Sequence, residues 1–340
     1  MSDIHILRST AELEALVPAW RALWLKDPDG TPFQHPAWLI PWWRQFGQPD
    51  LRAVTISDNG ELIGLIPLYI LADPQTRIRQ LLLLGAGTSD YLDGIFAPAC
   101  TAGHILEAFR LLREEPGWDE AILTQLRGPS KLLPALTSTG NTVTAEACSR
   151  LPAVPIAQLP RKLRQNVQYN RNRASRSGEL RYEMADRCNC LKFFDRLLDM
   201  HSIRWRERGE PGVLSDPRVV AWHREAIPAL AEHGLLHLSE LWLEGEVLAA
   251  MYGLIDPPER AQRTLYVYLP SFSTRHATLS PGTLVLAHAI EHAAVDGVHT
   301  VDFLRGDEPY KRLWHAQFVP TQGLVIPRTE TSATSLVRAA

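Results

Sequence analysis

Three places in this 340-residue chain gather side chains that can do chemistry. The first is a helix start, Ser280-Pro281-Gly282-Thr283-Leu284, which follows a strand written Tyr266-Val267-Tyr268-Leu269. Serine at the N-cap and proline at the first helical position are start signals. The opening N–H groups of a helix have no internal partner, and with the helix dipole they favour phosphate or pyrophosphate. Gly282 lets a ligand approach the backbone. The plainer alternative is that Ser-Pro-Gly only caps the helix. The second place is Arg305-Gly306-Asp307-Glu308-Pro309-Tyr310-Lys311, delivered just past a strand over residues 298–304. Ligands of open sheets bind beyond such strand ends, although Asp307 or Glu308 can equally cap a helix opening at Pro309. The third is residues 151–178, which hold Arg161, Lys162, Arg164, Arg171, Arg173 and Arg176 and no Asp or Glu. That run reads either as a solvated basic face or as counter-charge for an anion.

These groups need a frame, and the hydrophobic pattern supplies one. In the first half, residues 4–7 read as a strand, 11–25 and 36–46 as helices, and 51–57 with 62–70 as strands joined at Asn59-Gly60, a hairpin turn signal. A strand over 79–84, a helix over 104–113 and a strand over 120–126 follow. The second half repeats the order: a helix over 191–208, strands over 235–243 and 246–255 joined at Glu244-Gly245, a strand over 263–269, a helix over 280–295 and a strand over 298–304. The alternation implies an α/β chain with α+β mixed sheets covered by helices, built as two copies of one unit. The expected boundaries are 1–155 and 156–330, and the length suits two domains.

Composition narrows the function. An apolar fraction of 45% with 21% charged residues is that of a globular protein. A formal charge of -3 argues against a generic nucleic-acid binder, so no DNA partner is expected. No apolar run reaches the ~18 residues of a membrane span. Four irregularly spaced cysteines and the absence of a leader-like start suit a reducing, cytoplasmic setting. The pair Cys188-Asn189-Cys190 lacks the second pair a metal site wants. Leu84-Gly85-Ala86-Gly87 begins like a dinucleotide turn, but Asp90 stands where the third glycine belongs. His288-Ala289-Ile290-Glu291-His292 matches a short zinc-protease pattern without a third ligand to complete it, so no metal is expected. Five of the ten tryptophans fall between Trp20 and Trp43 at helical spacing, which favours core packing, and Trp42 and Trp43 are not expected to face inward together.

The stretch Asp302-Phe303-Leu304-Arg305-Gly306-Asp307-Glu308-Pro309-Tyr310-Lys311, ending in Trp314, resembles the C-terminal signature of the CelD/BioF2-like branch of the GNAT acetyltransferase superfamily. Thr31-Pro32-Phe33-Gln34-His35-Pro36-Ala37-Trp38, Gly87-Thr88-Ser89-Asp90-Tyr91-Leu92-Asp93, then His201, Arg204-Trp205, Arg208-Gly209 and Ser280-Pro281-Gly282 match that branch in order. Lys162-Leu163-Arg164-Gln165-Asn166 resembles the opening of the second domain in the Fem aminoacyl transferases. The likeness covers about residues 30 to 315.

The resemblance implies two tandem GNAT-like domains of the acyl-CoA N-acyltransferase fold, the first degenerate and the second holding acetyl-CoA or another acyl-CoA as co-substrate. Pantetheine would lie along Tyr266, Val267, Tyr268 and Leu269, with pyrophosphate at Ser280, Pro281, Gly282, Thr283 and Leu284. One departure is that a single glycine stands where GNAT pyrophosphate loops carry more. An amine would attack the thioester directly, with Asp90, Asp93, His201 or Glu308 as base and Tyr310, or else Tyr266 or Tyr268, as acid. Asp90 and Asp93 can alternatively form turns, and His201 can be a core residue. Tyr91, Arg204, Trp205, Arg305, Asp307 and Lys311 would meet the acceptor, a small-molecule amine such as an amino sugar, or an intermediate of polysaccharide assembly. Two alternatives stay open: a Fem-type transferase using aminoacyl-tRNA, with residues 161–176 meeting the RNA, and a catalytically silent accessory protein of exopolysaccharide or cellulose synthesis.

Overall fold

Short apolar strands and indole-rich helices dominate the start of the chain. The computed structural model describes residues 2–47 and 50–328. They divide into two units, one formed by residues up to 146 and those from 320 onward, the other by residues 147–319.

The first unit opens with β1 (Ser2–Leu7), α1 (Thr10–Ala15), α2 (Val17–Lys26) and α3 (Pro36–Phe46). It continues with β2 (Ala53–Asp58), β3 (Glu61–Ile66), β4 (Leu68–Ala72), β5 (Arg79–Leu83), β6 (Ile95–Phe96), α4 (Ala102–Glu114), β7 (Glu120–Leu126) and α5 (Leu132–Leu136). Strands β1, β2, β3 and β6 form one antiparallel sheet, while β4 pairs antiparallel with β5 and β5 parallel with β7. Two elements expected to be continuous are broken by proline. The helix over 11–25 divides into α1 and α2 because Pro18, in the first turn of α2, cannot donate to the preceding turn. The apolar run over 62–70 divides at Pro67 into β3 and β4, which join different sheets.

Indole N–H groups tie this unit together. Trp38 donates to Ser89 Oγ at 2.9 Å, Trp42 to Thr88 Oγ1 at 2.6 Å, and the Gln34 amide to the Tyr91 carbonyl. The segment 31–38 and the loop 87–93 are thus one hydrogen-bonded assembly. The expectation that Trp42 and Trp43 face differently is corrected: both are buried, because every residue of α3 from Pro36 to Trp43 is covered. Trp43 satisfies its N–H on Thr10 Oγ1 at 3.0 Å.

Strand β8 (Asn141–Pro152) carries the chain into the second unit, followed by α6 (Arg161–Ser175), β9 (Leu180–Met184), α7 (Cys190–Glu207) and α8 (Pro217–Glu232). Then come β10 (Leu236–Leu243), β11 (Glu246–Ile255), β12 (Thr264–Phe272), α9 (Pro281–Val295), β13 (Thr300–Arg305) and α10 (Pro309–Leu313). The strand order is β8-β13-β12-β11-β10-β9, antiparallel except between β12 and β13. Leu284 and Ile290 of α9 and Leu163 and Val167 of α6 share a core with Met251, Leu265 and Val267 on one sheet face. Alternation sends Tyr252 to the other face, where it meets Phe194 of α7 and His223 of α8. The last strand, β14 (Gln317–Pro327), returns the chain to the first unit, pairing Gln322–Pro327 antiparallel with β7.

The end of β13 is built by two charged side chains. Asp302 accepts the Leu304 N–H on Oδ1 at 2.8 Å and the Arg150 guanidinium on Oδ2 at 2.6 Å. Leu304 sits at φ 59°, a left-handed conformation costly for a side chain with a Cβ. Lys311, 1% exposed, donates to the carbonyls of Leu304, Arg305 and Gly306 and lies 2.8 Å from Glu308. Replacing Lys311 by Met strands those carbonyls, and the expected loss of unfolding free energy is about 2–4 kcal/mol, read by urea titration. A variant as stable as the parent would show that the loop does not depend on this ammonium.

Candidate functional site

The ladder between β12 and β13 runs only from Thr264↔Thr300 to Tyr266↔Asp302. Beyond it the strands part. Strand β13 stays paired with β8 along its length, with a register shift between Asp302 and Arg305, so that Arg305 faces Cys148. Strand β12 runs on to Phe272 against β11, with Tyr268 as the extra residue of a bulge, since Tyr252 faces Leu269 and Gly253 faces Val267. Two parallel strands that separate at their C-terminal ends leave a gap there, with backbone groups of β12 along one side.

Side chains from four elements meet at the far end of this gap. The Arg204 guanidinium of α7 stacks 4.2 Å from the Phe272 ring centroid, at the end of β12. Phe272 packs on the start of α9, where a Cβ added at Gly282 would lie 3.2 Å from its Cδ1. Tyr310, opening α10, lies edge-on to Phe303 of β13 with ring centroids 6.0 Å apart. Burial holds the Tyr310 hydroxyl well above the usual phenol range, Glu308 adds to this, and Arg204 opposes it. His201 is buried one turn before Arg204, 5.7 Å from the Trp205 ring. Burial first, and Arg204 second, pull its pKa down to about 4, so its imidazole is neutral at pH 7. Gly212, at φ 68°, lets the following loop close on this pair: a Cβ there would lie 2.6 Å from His201 Cε1.

The start of α9 differs from the expected cap. Ser280 is in the left-handed region at φ 54°, and its side chain caps nothing. Its hydroxyl instead accepts from Arg173 of α6 at 3.4 Å. The Ser280 N–H is used by the Ala277 carbonyl, Pro281 has none, and the Thr283 N–H turns back to the Ser280 carbonyl at 3.0 Å. Gly282 keeps the one first-turn amide with no recorded backbone acceptor. What fits an anion here is therefore a single amide with Arg173 beside it, a smaller set than four open amides.

Other expected site residues fall into two groups. Tyr268 and Leu269 are half-buried along the gap, and Arg305 is half-buried at the end of β13. Val267 of β12 and Leu284 of α9 are core side chains, so only their backbone is available to a ligand, and Pro281 is also buried. Tyr266 is buried with its hydroxyl 3.3 Å from Asp256 Oδ2. Lys311 has its ammonium engaged on the loop carbonyls, and Asp307 forms an exposed ion pair with Arg312. The Lys311 ammonium is thus taken up inside the loop, while Asp307 stays at the surface.

Asp90, Tyr91 and Asp93 lie in the first unit, whereas His201, Glu308 and Tyr310 lie in the second. Tyr91 is 1% exposed and Asp90 is buried. Phe272 and Arg173 carry contacts that the sequence reading left unassigned. Phe272 follows the last residues read as strand, and Arg173 was one of six basic residues with nothing to single it out. Of the zinc-like pattern, Glu291 pairs with Arg171, and His288 stacks on Tyr182 at 3.9 Å. Among the described residues no group of three or more His, Cys, Asp or Glu is arranged to hold a metal.

Asp93 lines a cavity of about 10 Å³, shared with Asp27, Gln34, Ser130 and Lys131, with room for about one water. Its Oδ1 accepts from Ser130 Oγ at 2.9 Å and from the Gly94 N–H at 2.8 Å. Desolvation outweighs these bonds and pushes its pKa up to about 7. The folded chain therefore keeps a proton that the unfolded chain releases in the ordinary carboxylate range. Stability contributed here is full below that range, falls as pH rises toward 7, and is flat above it. Asp93→Asn retains the acceptor oxygen and removes the titration. It is expected to match the parent at pH 4 and exceed it at pH 8 in urea titrations, and identical pH slopes would refute the assignment.

Residues 161–312 match the family model described as an acetyltransferase (GNAT) domain. A search of curated proteins finds no match. Among solved structures, the chain is similar to FemX at 13% identity and a TM-score of 0.64, covering 94% of this chain and 96% of that one. It is similar to the L-PGS structure from Bacillus licheniformis at 13% identity and a TM-score of 0.59, covering 95% and 93%. It is also similar to a tandem GNAT protein from the clavulanic acid biosynthesis pathway at 12% identity and a TM-score of 0.52, covering 98% and 100%. Likeness at such identity speaks to the fold alone. The parted strands thus lie inside the stretch that matches a GNAT acetyltransferase domain, in a mixed α/β fold that the chain shares with FemX and with a tandem GNAT protein.

Proposed function

We propose that the protein moves an acyl group from acyl-CoA to the amine of a small molecule or glycan intermediate, such as an amino sugar. The observation that carries this reading is the parting of β12 and β13 after Tyr266 and Asp302, inside the stretch matched to a GNAT domain. Unpaired strand edge suits a pantetheine arm, which is itself an amide chain that can add to a sheet. In the transfer the neutral amine attacks the thioester carbon. A C–N bond forms, the C–S bond breaks, the amine gives up a proton, and the leaving sulfur gains one. Tyr310 stays protonated at neutral pH and is the candidate donor to the sulfur. Glu308, two residues earlier and exposed, is the candidate acceptor of the amine proton. His201 is unprotonated but, with a pKa near 4, a weak base for that step.

A second reading, transfer from aminoacyl-tRNA, is favoured by the exposed side of α6. Arg161, Lys162, Arg164 and Arg176 lie there, and Tyr169, 62% exposed, offers a ring for stacking. Calorimetry with acetyl-CoA and CoA tests the first reading, and tRNA binding that falls steeply with salt would favour the second. Binding neither would leave the accessory role.

Two variants test the placement. Tyr310→Phe is expected to lower kcat about 10²-fold with little change in KM for acetyl-CoA, followed as thiol release. Unchanged kcat would remove Tyr310 as the acid. Gly282→Val drives a side chain against Phe272 and is expected to weaken CoA binding while circular dichroism stays native. Unchanged affinity would count against a diphosphate at this helix start.

A further inference from the structure

We infer that Arg204 is the anchor for an anionic group, a phosphate or carboxylate, on the ligand that enters the gap between β12 and β13. This deepens the transfer reading and rests on it for the identity of the ligand. The other half-buried arginines of the second unit that face carboxylates are Arg150 with Asp302, Arg171 with Glu291, and Arg196 with Glu240. Arg204 is half-buried too, yet among the described residues it has no ion pair and no recorded hydrogen bond. Taking a guanidinium partly out of water without a partner is costly, and a bound anion removes the cost.

The surroundings hold the group ready instead of neutralising it. The cation–π contact with Phe272 holds the guanidinium in place without taking up its N–H groups, which suit a planar or tetrahedral anion. Tyr310, close enough to interact with it, supplies a hydroxyl from the β13 side. Arg208, one turn on, stacks on Trp205 at 5.5 Å and adds a second positive charge. Arg204 therefore sits on the last residue of β12, within electrostatic reach of Tyr310 just past β13, where a ligand's charged portion would sit.

Two sources share this chemistry: the diphosphate of the acyl donor and an acid group on the acceptor. Calorimetry on the full chain separates them, using CoA against pantetheine and glucosamine 6-phosphate against glucosamine. Arg204→Gln is expected to weaken the phosphate-bearing member of one pair about tenfold or more while leaving its uncharged member unchanged. Loss confined to CoA assigns the donor, and loss confined to the sugar phosphate assigns the acceptor. Arg204→Lys, which keeps the charge, should recover part of the affinity. Arg206→Gln, on the same helix with its Nε on the Ser202 carbonyl, should change nothing. Thermal unfolding of each variant separates lost binding from lost fold. The inference is overturned if the parent binds neither charged probe, if Arg204→Gln binds both as the parent does, or if it loses charged and uncharged probes equally. CoA binding indifferent to Arg204→Gln sinks the donor assignment alone. A parent that binds no CoA, but binds the sugar phosphate through Arg204, sinks the transfer reading and keeps the anion site.

Discussion

The separation of two parallel strands is the constraint on which the second unit turns. Strands that begin in register continue together unless something stops the ladder, because each further pair satisfies buried backbone groups. Here Asp302 stops it. Its carboxylate takes the N–H of Leu304 and the guanidinium of Arg150, and the register of β13 on β8 shifts just beyond it. The carbonyls of Leu304, Arg305 and Gly306 are then collected by the buried Lys311 ammonium. A negative and a positive side chain thus hold open a gap that hydrogen bonding would close. On the other strand, the bulge at Tyr268 lifts β12 out of regular pairing at the same level. Both devices cost local stability, and residues that hold such strain cluster at functional sites.

This division of labour separates scaffold from surface within one short motif. In the run 302–311, Asp302 and Lys311 point inward and shape the loop. Glu308 and Tyr310 stay at least partly exposed. A motif can therefore match a family over its whole length while only some of its residues meet a ligand. The same holds in the first unit, where Gln34, Trp38 and Trp42 reach the loop around Ser89 and Tyr91 through hydrogen bonds. Those pairs explain why the two segments occur together without requiring either to touch a substrate.

Much of the second unit was legible because its signals are local. The turn at Glu244-Gly245, the alternation in β10 and β11, and the apolar period of α9 each specify an element without help from distant residues. What was not legible depends on tertiary placement. Nothing in 317–327 says that the last strand leaves one unit to pair in the other, since a strand's partner is chosen by the sheet it reaches. Pro18 and Pro67 interrupt runs whose apolar period continues on both sides, so periodicity alone does not show the breaks they make. Lys311 was expected to meet the acceptor because it stands in the motif that resembles the family's, and only the three converging carbonyls reveal its task. Ser280 carried a cap residue's identity, yet its left-handed backbone aims the hydroxyl at Arg173.

The start of α9 shows how charge can stand in for backbone geometry. A helix N-terminus attracts anions through several amides acting together, and each amide contributes a partial charge at fixed distance. Here proline, the turn of Thr283 and the bond to Ala277 consume all but the Gly282 N–H. Two guanidiniums stand near the same place, Arg173 on the Ser280 hydroxyl and Arg204 across the Phe272 ring. Whole charges reach further than amide dipoles and tolerate a less exact fit, but they are screened by salt where exposed. An anion held this way is recognised more by charge and planarity than by a close-fitting nest. A glycine-rich loop is then not required, because glycine's service in such loops is to let amides approach the ligand. If side chains from α6 and α7 hold the anion, as inferred for Arg204, the single glycine at position 282 suffices.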